Sequence, residues 1–423
     1  MFKKSIAGTT TRFSAKYPAV WLLVSGCVQT LPLSAQEAGQ LLKPRDTINI
    51  SSGYFSKDYA NNVDYAQILL DESRGVERLS KLGYETYGNS LSSWGARGAY
   101  VVGTNLLTYT SHLRLSYHEW GHASRSVAMG GTATFSNCLG GNKWCDAPRD
   151  FFGYAGSQLF HFDGGGATLV NGTLTANADS GKAVQNIMNG GGVNNEMLVS
   201  DKLGEQHFVR GTGSVFSQWA QLGQLAIATY GPAGGTGDLA TVASQYRSSG
   251  VDSHIQEKDL RSINQLSLIS GTTVATAMAS YNFIANGKVK AKPWTIGGFW
   301  VPNQYNYISS RGITRKWVSG YELNERTKFL GSYEYVVRGD SFAEPGLGIY
   351  QNFGGWDALV KVSGKSLAWS NLETAFSKRL SKNWRLNATA YVWDSRSLLG
   401  ERNSLNLSKN KTSQFSIGVA YEY

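Results

Sequence analysis

The chain has 423 residues, with 40 Lys+Arg against 30 Asp+Glu, 49 Gly, 8 Pro and 12% aromatics. That length allows one large domain or two, and the apolar and aromatic content excludes a disordered chain. The positive excess lies at one end, because residues 288–423 hold 19 Lys+Arg against 10 Asp+Glu and leave 21 against 20 before them; without an aromatic-basic module this balance does not point to nucleic acid.

Residues 1–35 have the parts of a secretory signal: basic Lys3, Lys4, Arg12 and Lys16, an apolar stretch at 19–24, and a small-residue exit at Leu33-Ser34-Ala35. Cleavage after Ala35 is expected. The alternative is lipidation at Cys27, in the box-like Val24-Ser25-Gly26-Cys27. Beyond this segment no run of about 18 apolar residues predicts a transmembrane helix.

Residues 36–290 read as a helix-rich region. A strand is expected at Asp46–Phe55 and a polar helix at Val63–Leu82. Further helices are expected over Leu106–Met129, Asn195–Leu203, Val215–Tyr230 and Ile263–Ala285, separated by Gly-rich loops. Cys138 and Cys145 bracket one such loop, and in an oxidising compartment that spacing predicts a local disulfide rather than a metal pair.

Within the first long helix, His118-Glu119-Trp120-Gly121-His122 carries chemistry. Histidines at i and i+4 project from one helical face and can meet one zinc ion, with Glu119 beside them as general base toward zinc-activated water. Peptide-bond hydrolysis is the expected reaction. The stretch His118 to Arg125, followed by Gly130-Gly131 and Phe135-Ser136, resembles the first motif of zincin metallopeptidases, particularly site-2-protease-like and other His-Glu-x-Gly-His enzymes.

A third protein ligand would leave one position open for water. Glu196, in Asn194-Asn195-Glu196-Met197-Leu198-Val199-Ser200-Asp201, resembles the second motif of gluzincins and is the preferred candidate. Asp163, in His161-Phe162-Asp163-Gly164-Gly165, resembles the Asp-Gly motif of site-2 proteases and is the alternative, with His161 a weaker one. His112, His207 and His254 read as packing or surface residues. His207, Arg210 and Tyr230 are candidate oxyanion donors among which the sequence does not choose.

Residues 291–423 switch to period-two alternation, as in Trp384-Arg385-Leu386-Asn387-Ala388-Thr389-Ala390-Tyr391-Val392, the mark of strands that separate two environments. Seven of the twelve tryptophans fall here, as aromatic girdles require. The last nine residues place Phe415, Ile417, Val419, Tyr421 and Tyr423 on one face. They resemble the C-terminal signal of bacterial outer-membrane barrels, which implies insertion by the barrel-assembly machinery.

The expected fold is therefore α+β: a helical, zincin-like part followed by an antiparallel sheet or outer-membrane barrel. The expected function is that of a zinc metalloendopeptidase of the outer membrane, with the periplasm as second choice, acting on envelope or secreted proteins. Its basic C-terminal part is expected to meet lipopolysaccharide phosphates. Two other readings stay open: an outer-membrane pore or structural protein without catalysis, and a zinc hydrolase of peptidoglycan or lipid.

Overall fold

The computed structural model describes residues 47–56, 65–88, 90–106, 117–136, 144–147, 168–171, 182–211, 213–218, 237–266, 268–365, 369–382, 384–394, 396–403, 407 and 411–422. The signal segment with Cys27, the Cys138 end of the expected disulfide, and Asp163 lie outside the described residues. The described elements belong to one compact unit, Pro44–Tyr423.

The chain enters through β1 (Thr47–Ser56), close to the expected strand, followed by α1 (Tyr65–Tyr87) and α2 (Trp94–Leu106). Helix α3 (His118–Ala128) leads into a small sheet in which β2 (Thr132–Ser136) lies between β3 (Trp144–Ala147) and β4 (Thr168–Asn171). A short α4 (Asn186–Asn189) precedes the long α5 (Gly191–Arg210), which extends well past the expected Asn195–Leu203 at both ends. Next come β5 (Gly213–Ser214), α6 (Val215–Gln218), α7 (Asp238–Ser248), α8 (Glu257–Leu266) and α9 (Gly271–Asn286). The single helix expected over Ile263–Ala285 is thus two helices. They are divided at Ser270, whose extended backbone (φ −142°, ψ 160°) makes it the N-cap of α9.

After β6 (Lys290–Ala291) and β7 (Thr295–Ile296), the alternating sequence forms β8 (Phe299–Ser309), β9 (Gly312–Glu322), β10 (Thr327–Gly339), β11 (Ala343–Asn352), β12 (Trp356–Ser363), β13 (Asn371–Arg379), β14 (Trp384–Asp394) and β15 (Lys411–Glu422), with α10 (Leu398–Arg402) before the last. With β1 added beside β15, these make a ten-stranded antiparallel sheet in the order β1-β15-β14-β13-β12-β11-β10-β9-β8-β7. Among the described residues β1 and β7 are its edges and do not pair, so of the two expected forms, antiparallel sheet or barrel, the strands make an open antiparallel sheet and the closed barrel is corrected. The reason lies at β8. Its partner β7 is two residues long, and beyond it helices satisfy the strand. The Asn194 side chain of α5 donates to Ile308 O at 2.7 Å and accepts from Ile308 N at 2.8 Å, and Asn306 donates to Ile263 O of α8 at 3.0 Å.

The two faces of the sheet have inverted chemistry. One carries Lys316, Glu334, Glu344, Lys361, Glu373 and Arg385 and packs around α5, which is buried along nearly its whole length. Lys316 pairs with Asp201, Lys202 with Glu373, and Lys361 with Glu205 and Glu373 at 2.8 Å each. The other face presents Trp317, Tyr321, Phe329, Tyr333, Leu347, Ile349, Trp356, Trp384 and Phe415, all between 36% and 59% exposed. A water-soluble one-sided sheet has the reverse pattern, whereas a sheet facing lipid has this one.

Because Asp201 is almost fully buried, Lys316→Met is expected to leave an uncompensated charge and destabilise the fold by about 3–5 kcal/mol. Adding Asp201→Leu is expected to recover much of that loss. Thermal melting of both variants in detergent checks the pair.

Candidate metal centre

The site begins with two helices that touch backbone to backbone. A Cβ placed on Gly121 would sit 2.1 Å from Gly191 O, and one on Gly191 would sit 2.4 Å from Gly121 O. Only glycine at both positions lets α3 and α5 cross this closely. Gly192 leaves room for the His118 ring, which a Cβ there would meet at 2.5 Å. The fully buried Arg125 clamps the crossing, donating to Gly121 O and Gly191 O at 3.2 Å each, to Asn195 Oδ1 at 2.7 Å and to Arg402 O at 2.9 Å. Burial lowers its guanidinium to about 9.

This crossing brings together His118, His122 and Asp238, the first residue of α7. His118 Nε2 lies 2.8 Å from Asp238 Oδ2, His122 Nε2 lies 3.3 Å from the same oxygen, and the two Nε2 atoms are 3.3 Å apart. Ligands at the vertices of a tetrahedron around zinc, with bonds of about 2.0–2.1 Å, are separated by about 3.3 Å. Two of the three separations match, and the third, 2.8 Å between His118 Nε2 and Asp238 Oδ2, is that of a direct hydrogen bond and falls short by about 0.5 Å. His122 Nδ1 lies 2.8 Å from Met188 O. A carbonyl only accepts, so Nδ1 carries a hydrogen, and Nε2 is left to face the cluster.

Both histidines are buried, while the Asp238 side chain is 33% exposed and forms the open side of the cluster. Burial opposes charge on His118, but hydrogen bonds to Asp238 and Glu196 and the charge of Glu119 prevail and raise it to about 10. Burial would raise Asp238, yet its hydrogen bonds to His118 and His122 hold it far below the usual carboxylate range. A divalent cation bound there would take the place of the proton between His118 and Asp238.

The histidines expected from sequence are thus together. Glu196 stands behind the cluster, its Oε1 3.4 Å from His118 Nδ1, and is not one of the three converging groups. That is where a carboxylate orients a ligating histidine. Asp201 lies elsewhere, bonded to Lys316 and, at 3.0 Å, to the Tyr307 hydroxyl. His207 is also remote in its contacts, 3.1 Å from Ser217 Oγ and 3.2 Å from Gln218 Nε2. Sequence reasoning missed Asp238. Its one local signal is a helix start, an Asp directly after the Gly-rich run Gly231-Pro232-Ala233-Gly234-Gly235-Thr236-Gly237. No family model matches the chain, and no curated protein is significantly similar to it.

Proposed function

We propose that this chain is a zinc metallohydrolase that cleaves peptide bonds in the cell envelope, with His118, His122 and Asp238 as metal ligands and Glu119 as general base. The observation that carries the reading is the convergence of two imidazole Nε2 atoms and one carboxylate oxygen within 2.8–3.3 Å of one another. Two histidines and a carboxylate are a donor set suited to zinc. When bound there, zinc supplies the Lewis acidity that activates water and polarises the carbonyl under attack. Met188 O fixes the tautomer of His122, and Glu196 orients His118 and offsets its charge. Glu119, buried in the first turn of α3, takes the proton of the attacking water and passes it to the leaving amine. Hydrolysis of peptidoglycan or lipid amides and esters would use the same groups, and profiling substrates separates these from peptides.

Glu119→Gln is the test of this chemistry. The variant is expected to keep stoichiometric zinc and lose turnover by about 10²–10⁴-fold, the usual worth of a general base. Retained turnover rules out Glu119 as the base.

We place the protein in the outer membrane, with the apolar face of the ten-stranded sheet toward lipid, lipopolysaccharide as a neighbour, and delivery by the barrel-assembly machinery. The inverted chemistry of the sheet supports this. It also supports the second reading, a pore or structural protein. Against a pore stands the packing of the polar face. Among the described residues, the space between Glu205, Lys316, Lys361, Glu373 and Arg402 amounts to about 40 Å³, room for a few waters.

A further inference from the structure

A second, separate feature is a cavity of about 1180 Å³ between α1, the C-terminal end of α5, α9 and the segment through β6. Two stretches of sequence line it with cations by simple periodicity. Arg74, Arg78 and Lys81 recur at i, i+4 and i+7 on α1 and so share a helical face. Lys288, Lys290 and Lys292 recur at every second residue of an extended segment and so share its face, and all three are exposed. Arg210, the last residue of α5, adds a seventh cation. Among the described residues two carboxylates line the same space, Glu77 and Glu85, and Glu85 is paired with Arg78 at 3.4 Å.

The cations repel one another there. Burial lowers Lys81, and the neighbouring Lys290 lowers it further against the pull of Glu85. Burial likewise raises Glu77, which weakens it as a counter-charge. His207 at the cavity wall is lowered to about 3 by burial and by Arg74 and Arg210, so their positive charge is felt at that wall, while its ring nitrogens are taken by Ser217 and Gln218. Beside the charges lies apolar surface from Leu203, Met278, Val289 and Trp294. Concentrated positive charge on one side and apolar wall on the other is the complement of an amphiphile with an anionic head.

We infer that this cavity binds a lipid whose headgroup carries phosphate, with Lys288, Lys290, Lys292 and Arg210 facing the phosphate. The site shares no ligand with the metal cluster and does not depend on it.

The test uses the full chain in a non-ionic detergent, titrated calorimetrically with dihexanoyl phosphatidic acid and, separately, with inorganic pyrophosphate. Phosphatidic acid is expected to bind saturably and more tightly than pyrophosphate. Binding is expected to weaken on raising salt, because the partners are charged. The triple variant Lys288→Gln/Lys290→Gln/Lys292→Gln removes exposed side chains and is expected to fold normally. It should bind phosphatidic acid roughly a hundredfold more weakly, about a factor of five for each lysine lost. Asp238→Ala should bind it as the parent does, which separates this site from the metal reading. No saturable binding, or equal binding by parent and triple variant, overturns the proposal; pyrophosphate binding as tightly as phosphatidic acid overturns its lipid character.

Discussion

Asp238→Ala is expected to abolish stoichiometric zinc binding, whereas Glu196→Ala should retain zinc with about 10–100-fold lower affinity, the usual cost of losing a group that orients a ligating histidine. The two carboxylates differ in placement. Asp238 Oδ2 touches both Nε2 atoms, at 2.8 and 3.3 Å, while Glu196 approaches only the far nitrogen of His118, at 3.4 Å. Elemental analysis of the purified chain beside both variants and His118→Ala gives the answer directly. Zinc lost from Glu196→Ala and kept in Asp238→Ala would exchange their roles, and a folded parent that takes up no zinc would remove the metallohydrolase reading altogether.

The second large effect is expected from Gly191→Val. The added Cβ would lie 2.4 Å from Gly121 O and 2.7 Å from Gly121 C. Backbone atoms inside a buried helix crossing cannot move aside as the end of a flexible side chain can. The cost should exceed about 3 kcal/mol, the upper range for overpacking, and zinc should be lost together with the packing of α3 on α5. Gly103→Ala on α2 is the control, since a Cβ there meets nothing within 4 Å. It should be neutral or stabilise by about 0.5–1 kcal/mol. Thermal melting of the two variants measures the difference.

Local signals carried well into structure. The alternation after residue 292 became strands, and the i, i+4 histidines stand together on α3. What stayed hidden depended on distant partners. Asp238 lies 116 residues beyond His122 and resembles an ordinary first-turn acid, favoured by the helix dipole wherever helices begin. Helix α5 was underestimated for a related reason. Asp201, Lys202 and Glu205 interrupt its apolar pattern, yet all are buried because strands more than 100 residues away supply Lys316, Glu373 and Lys361 as partners. Periodicity measures fitness for water on one side, and a helix surrounded by a polar sheet face has no such side. The open edge was equally illegible, for it rests on Asn194 of α5 bonding the backbone of Ile308.

The position of β1 sets how the sheet can be assembled in time. Eight of the nine strand contacts in the ten-stranded sheet join neighbours along the chain, and each can close as a local hairpin or short loop. The ninth joins Thr47 to Glu422, across almost the entire polypeptide. Loop closure grows costlier with length, though slowly, and distant pairings form later than local ones. Among the long strands, the seam between β1 and β15 is thus the one expected to be completed last. Amide hydrogens that bridge it are expected to exchange ahead of those between β13 and β14, so the last pairing to form joins the two ends of the described chain.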